Sequence, residues 1–455
     1  MGSGADGRNG GGGTRRSALR CLSLSGAGAL LLAACGAGAA PGNGGAAGGT
    51  ADTAGARVTQ PTTLVYWTNL SGADGSKMKE LAERYQTETP LVTVEQIQGV
   101  TPYFDKVLAA VAAGTPPDVL GTRMPYVPFL AESGVLADLS AREIQQLGLR
   151  PDDFEPAVWR SGEWKGKRYS IPMDLNGHML LYSQTAVRDL GGNPAQPPAS
   201  WQEWQTWTTQ LTRNEAYGTS FDYAGEALVV QLMHHLAQQG GSVFDPDGRR
   251  AAFNTPKGVA ALTLLTDVYQ RAGLPLAVPP GQGPLDLLEQ RKLASWLNGP
   301  WNLNRLARPE SPAAADLRVA LAPQFDPRKP AWTVQGFQLT LPRQPKPDEA
   351  RRTAAFSLIS SLFGRAFEWS LAGKLPVSKR VLASDAFQKS TDPVIGHLKL
   401  WEKYLPNAVM IESHPRWVDA TNALHPELSK ALKKELSPQS AIGEAERAVN
   451  AVLGA

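Results

Sequence analysis

The sequence predicts an α/β fold organised as two domains, and three observations predict it. The chain has 455 residues, 42% of them hydrophobic, which is more than one compact core of ordinary size accommodates. Its early part alternates strand and helix patterns. No fixed-period repeat and no second long apolar stretch interrupt that mixed pattern.

The elements follow in order. Leu64-Val65-Tyr66-Trp67-Thr68 reads as a first buried strand, and Asn69 to Ser76 as a polar loop containing glycine. Met78, Leu81, Ala82 and Tyr85 then fall at helical spacing, and Pro90 stops that helix. Val92 to Ile97 alternates as a strand, with Val92, Val94 and Gln96 on one side. Phe104, Val107, Leu108, Val111 and Ala112 predict a second amphipathic helix, ended by Gly114 and Pro116. Asp118-Val119-Leu120 is a short third strand. This β-α-β-α-β order favours a doubly wound sheet with ligand chemistry at the strand C-termini. Further on, Ser200-Trp201-Gln202-Glu203 is a capping box opening a helix. Thr255 and Pro256 suit the N-cap and first position of another. Phe337, Leu339 and Leu341 alternate with Gln338 and Thr340 as a strand, and helices dominate from Glu349 onward.

Composition narrows the partners. The net charge is +3, with acids and bases interspersed, so nothing resembles the basic block that tracks a phosphate backbone, and no nucleic-acid partner is expected. The two cysteines, Cys21 and Cys35, both lie near the N-terminus. The body therefore carries no thiolate cluster for zinc or iron–sulfur chemistry.

The N-terminal segment reads as an export signal. Arg8, Arg15, Arg16 and Arg20 supply its positive region, and Leu22 to Leu32 an apolar stretch too short to span a bilayer. Leu32-Ala33-Ala34-Cys35 resembles the lipobox of bacterial lipoproteins. On that reading residues 1–34 are removed, Cys35 is the lipidation site, and residues 35–60, rich in Gly and Ala, form a flexible tether. Thr14 to Arg20 resembles a twin-arginine signal without the usual aromatic, so both twin-arginine and general secretion remain open.

Seven stretches then stand in order: Trp67 to Gly72, Ala113 to Val119, Gly166 to Asp174, Leu180 to Ser183, Phe253 to Val259, Asn298 to Trp301, and Gly373 to Val377. Each alone is a common turn or strand end. Together their order and spacing resemble the family-1 extracellular solute-binding proteins of ABC importers, the group serving maltose, multiple sugars and glycerol-phosphate compounds. The resemblance covers about residues 60 to 455. It implies a periplasmic-binding-protein fold of class II type: two α/β lobes joined by crossing strands, with the ligand cleft between them. Residues 61–172 and 335–378 would form the N-lobe, and 176–331 and 380–455 the C-lobe. The crossings would fall near Pro172 to Tyr182, Trp332 to Leu341, and Pro376 to Leu382.

A sugar offers C–H patches that stack on rings and hydroxyls that need donors and acceptors, so its site needs aromatic platforms and a few polar side chains. Trp301, at the family position where an aromatic faces the cleft, Trp67 at the end of the first strand, and Trp332 at the second crossing are the candidate platforms. Asn69, Ser71, Arg123, Tyr126, Asp174, Asn298, Gln335 and Arg380 are the candidate polar contacts, with Lys379 beside Arg380 able to anchor a phosphate. Trp201, Trp204 and Trp207 share one predicted helix and are expected to pack. His234-His235 is the one histidine pair, and adjacent helical positions point about 100° apart, which suits a structural role better than shared metal ligation.

The implied function is capture of a mono- or oligosaccharide by a monomer that delivers it to an ABC permease, with no cofactor. A glycerol-3-phosphate or glycerophosphodiester solute is the alternative within the family. A lipid-anchored carbohydrate-active enzyme is the alternative of another class; it would need two carboxylates at a defined separation. No Gly-x-Ser-x-Gly elbow or phosphate-cradling glycine loop occurs.

Overall fold

The computed structural model describes residues 58–99, 102–212, 216–221, 223–271 and 283–454. The expected signal segment and Cys35 lie outside the described residues.

The first sheet begins as the sequence predicts. Strands β1 (Thr62–Trp67) and β2 (Val92–Ile97) run parallel, and β3 (Val119–Arg123) joins β1 in the same sense. The helix Gly72–Glu88 crosses from β1 to β2 and buries Met78, Leu81, Ala82 and Tyr85, the four positions its spacing singled out. The helix Tyr103–Ala112 crosses from β2 to β3, but only Tyr103 and Val107 of it are buried. Leu108 and Val111 remain partly covered because this helix packs one narrow stripe on the sheet.

A small hairpin, β4 (Glu163–Trp164) and β5 (Lys167–Arg168), precedes β6 (Ser170–Pro172), β7 (Asp174–Leu175) and β8 (Met179–Ser183). Between β6 and β8 the chain passes from the first sheet to a second one. That second sheet has the order β11-β8-β10-β9, with β9 (Ser220–Phe221), β10 (Ser295–Asn298) and β11 (Leu317–Ala320). Helices Trp201–Leu211, Gly225–Gln238 and Pro256–Arg271 pack in this region, and Trp201, Trp204 and Trp207 are all buried there. Ser200 and Glu203 form the capping box, each side chain closing on the other's backbone N–H, at 3.1 Å and 3.2 Å.

The chain then returns. Strand β12 (Trp332–Val334) pairs with β15 (Ala408–Met410), and β13 (Phe337–Thr340) inserts antiparallel between β3 and β6, giving the first sheet the order β2-β1-β3-β13-β6. Strand β14 (Leu375–Pro376) pairs with β7 beside the first crossing.

The two crossings touch backbone to backbone. Asn176 N–H donates to Gln335 O at 2.7 Å, and Gln335 N–H returns to Asn176 O at 2.9 Å. Such contact requires glycine on each strand. A Cβ on Gly336 would lie 1.8 Å from Asp174 O, and one on Gly177 would lie 2.2 Å from Thr333 O. Asp174 locks the same point. Fully buried, it accepts from Trp369 Nε1 at 2.8 Å, Phe337 N at 3.1 Å and Asn176 Nδ2 at 3.1 Å.

The expected third crossing, over Pro376 to Leu382, is not where the chain changes lobe. Ser378 Oγ and Arg380 N–H donate to Asp153, at 2.6 Å and 2.9 Å. That holds this stretch on the segment between β3 and β6.

Candidate ligand-binding site

A cleft of about 500 Å³ opens between the loop after β1 and the turn after β10. From the first side come Asn69, Ser71, Asp74 and, at the end of β3, Arg123. From the other come Trp301, Asn302, Asn304 and Arg305, on the turn and short helix after the Asn298-Gly299-Pro300 corner. Asn176 and Gln335 of the crossings form the floor, with Lys374 beside them. A small void at the hinge continues it, lined by His178, Trp301 and Gln335.

Five expected contacts therefore meet: Asn69, Ser71, Arg123, Trp301 and Gln335. Six line no part of this cleft. Trp67 packs against the apolar core. Tyr126 lies under Phe104, ring centroids 3.8 Å apart, with its hydroxyl on Glu226 at 2.7 Å. Asp174 is spent on the hinge bonds above. Asn298 turns the chain, its Oδ1 accepting from Gly299 N and Asn302 Nδ2, each at 2.9 Å. Trp332 is fully buried and donates its indole N–H to Tyr404 O at 2.7 Å. Arg380 pairs with Asp153 at 3.2 Å, and Lys379 with Glu155 at 3.2 Å, both away from the cleft.

Charge in the cleft is already matched. Lys374 is almost completely buried and pairs with Asp74 at 2.9 Å. Arg305 pairs with Asp286 at 2.8 Å and Glu289 at 2.6 Å. Arg123 pairs with Glu226. Burial opposes the charge on Arg123, but Glu226 and Tyr126 outweigh it and hold the guanidinium firmly protonated. Hydrogen-bond acceptors, in contrast, are left over. Gln335 Oε1 and Asn304 Oδ1 are buried with no partner among the described residues. A buried acceptor without a donor costs about 1–3 kcal/mol, so a rotation of either side chain that brings its oxygen to a solute O–H is favoured.

Asn176, Asn302, Asn304, Asp74 and Lys374 were not singled out from sequence. Lys374 stands inside the Gly-Lys-Leu-Pro-Val stretch, two residues before the proline. Asn302 and Asn304 follow Trp301 on the same turn. Proximity to those motifs was the available signal.

Above the hinge, the helix Gly225–Gln238 lays His234 and His235 into the core. His234 Nδ1 is 3.3 Å from Thr333 Oγ1 on β12, and Gln231 Nε2 is 3.0 Å from His178 Nδ1. Burial pushes His234 well below the ordinary histidine value, with His235 and His178 adding to it. Burial likewise pushes His235 down to about 4, against a backbone bond to Gln231 O that favours the charged ring. The folded state thus resists protons that the unfolded chain takes up near pH 6.5. Stability is fully present above that pH and is lost as pH falls toward 4, by up to about 1.4 kcal/mol per pH unit for each histidine. Urea melts from pH 7 to 4.5 are expected to show this slope, and a His234→Gln/His235→Gln double variant to flatten it. An equally steep profile in the double variant would assign the loss to other groups, among them His397 and His414, which burial also pushes down.

Among the described residues, no group of three His, Cys, Asp or Glu side chains could hold a metal ion, and no helix is long and apolar enough to cross a membrane.

Two lobes, backbone crossings pinned by glycine, and a polar cleft with one aromatic wall define a hinged binding protein. A family profile described as bacterial extracellular solute-binding protein matches residues 69–363, and the chain belongs to that family. It is similar to the sn-glycerol-3-phosphate-binding periplasmic protein UgpB of Shigella dysenteriae serotype 1 (strain Sd197), 25% identical over 232 residues. That match covers 46% of this chain and 50% of the relative, so the chain spans about half the length of the curated relatives it matches. Its fold is similar to an ABC transporter solute-binding protein from Thermotoga lettingae bound with α-D-tagatose. There the TM-score is 0.73 at 25% identity, covering 86% of this chain and 100% of that one. It is also similar in fold to a Listeria monocytogenes ABC substrate-binding protein in complex with cycloalternan, with a TM-score of 0.73 at 21% identity, covering 86% and 99%.

Proposed function

We propose that this protein captures a mono- or oligosaccharide in the cleft beside Trp301 and delivers it to the permease of an ABC import system, binding without catalysis. One observation carries the choice of solute. Among the described residues, Gln335 and Asn304 line the cleft with an acceptor oxygen that has no donor, while Arg123, Arg305 and Lys374 are already paired with carboxylates. A neutral polyol supplies O–H donors to the first and asks nothing of the second. A phosphate ester would have to share those cations with Asp74, Glu226, Asp286 and Glu289, whose carboxylates already neutralise them. The part of Trp301 that borders the cleft gives the sugar's C–H face its platform.

The UgpB relatives make glycerol-3-phosphate the competing solute. Isothermal titration with tagatose, maltose and larger oligosaccharides, set against glycerol-3-phosphate and glycerophosphocholine, separates the two. Saturable binding of a saccharide with the ligand recovered intact is the expected result. Binding of the phosphate compounds alone would overturn the saccharide assignment, and a cleaved product would overturn the binding role. We further propose that the protein is exported and anchored through a lipid on Cys35. A Cys35→Ser variant is then expected to leave the membrane fraction.

A further inference from the structure

Among the described residues, Arg123 is the one cleft-wall cation whose carboxylate partner reaches it from the other lobe. It ends β3 in the first sheet. Glu226 opens the helix Gly225–Gln238, which packs with the helices Pro256–Arg271 and Trp417–Leu432 beside the second sheet. The Glu226 carboxylate divides its two oxygens between the lobes. Oε1 accepts from Trp417 Nε1 of its own lobe at 3.0 Å. Oε2 accepts from Tyr126 Oη at 2.7 Å and from Arg123 Nη2 across the boundary. Arg123 in turn bonds Tyr126 Oη at 3.0 Å and lies 5.0 Å from the centre of its ring. Tyr126 is fixed between Phe104 and the edge of Trp417, centroids 3.8 Å and 6.5 Å away.

Tyr126 and Trp417 are buried, and the Arg123 and Glu226 side chains are 32% and 21% exposed. Water therefore screens this pair less than a surface pair. Opening the lobes would strip three charge-assisted or aromatic N–H and O–H bonds down to one. Burial alone would raise the Glu226 carboxyl, yet Arg123 and its other donors hold it below the usual range.

We propose that Glu226 is a positioning residue: anchored by Trp417, it latches the two lobes together through Arg123 and Tyr126 and aims Arg123 along the cleft wall. The latch is made of protein groups alone, so it does not depend on which solute the cleft accepts.

The test is read without solute. Spin labels go on Glu83→Cys and Arg447→Cys, exposed positions on the first and second lobes, in a Cys21→Ser/Cys35→Ser full-length background. Pulsed dipolar distances then give the closed-to-open ratio. Glu226→Ala is expected to lower that ratio about tenfold, and Glu226→Gln, which keeps the shape but not the charge, by a smaller factor. Arg123→Ala is expected to match Glu226→Ala, and the double variant to be no worse than either, because both break the same contact. A Glu226→Gln distance distribution identical to the parent would overturn the proposal. So would additive effects in the double variant. If Glu226→Ala fails to fold, the Glu226→Gln and Arg123→Ala distributions decide in the same way.

Discussion

Asp174→Ala is expected to lower the stability of the protein by about 2–4 kcal/mol. The carboxylate is fully buried and satisfies the Trp369 indole, the Phe337 amide and the Asn176 side chain at once. Alanine leaves those donors facing a small void with no water path to replace the acceptor. Burial raises the Asp174 carboxyl, and Lys374, Trp369 and Phe337 act against it, so the site is already under electrostatic tension. Asp174→Asn keeps one acceptor oxygen and should lose roughly half as much. Urea melts at neutral pH check this: the midpoint should fall while the slope stays constant. An unchanged midpoint for Asp174→Ala would mean that the crossings hold without this knot.

Trp301→Ala should weaken solute binding by about 1–3 kcal/mol, roughly tenfold to hundredfold in affinity, while leaving the melting midpoint close to that of the parent. The ring is half-buried: one side is packed, with His178 at its edge 5.8 Å away and Lys374 Nζ 5.9 Å from its centre. The rest borders the cleft. Trp301→Phe, which keeps a platform, should recover much of the affinity. Titration calorimetry on both variants decides it, and equal affinity in parent and alanine variant would remove Trp301 from the contact surface.

The parts of the fold that local pattern controls were legible. β1 to β3 and their crossover helices announce themselves through apolar spacing and proline stops. The Ser200 capping box and the Thr255-Pro256 start are written in four and two residues respectively. What local pattern does not encode is which distant strand completes a sheet. β3 was expected to end at Leu120; it runs to Arg123 because β13 pairs along its free side. The same blindness governs the site. Trp332 and Asp174 stand at the crossings as expected, but crossing strands are the most crowded place in the molecule, so their side chains are consumed by packing and hinge bonds. Arg380 follows a family stretch yet is claimed by Asp153, a partner more than two hundred residues earlier. Trp301 was legible because it follows a Gly-Pro corner at a family stretch; its ring lies back over Gly299, where any Cβ would sit 1.9 Å from Cζ3.

The insertion of β13 also sets the order in which this chain can fold. Thr340 Oγ1 donates to Leu120 O across 220 residues. Until synthesis has passed Thr340, β3 has an open edge and β6 has no neighbour in the sheet, however well the first three strands have formed. The first lobe is thus not a unit that matures alone, and loop closure over so long a span makes the last step slow.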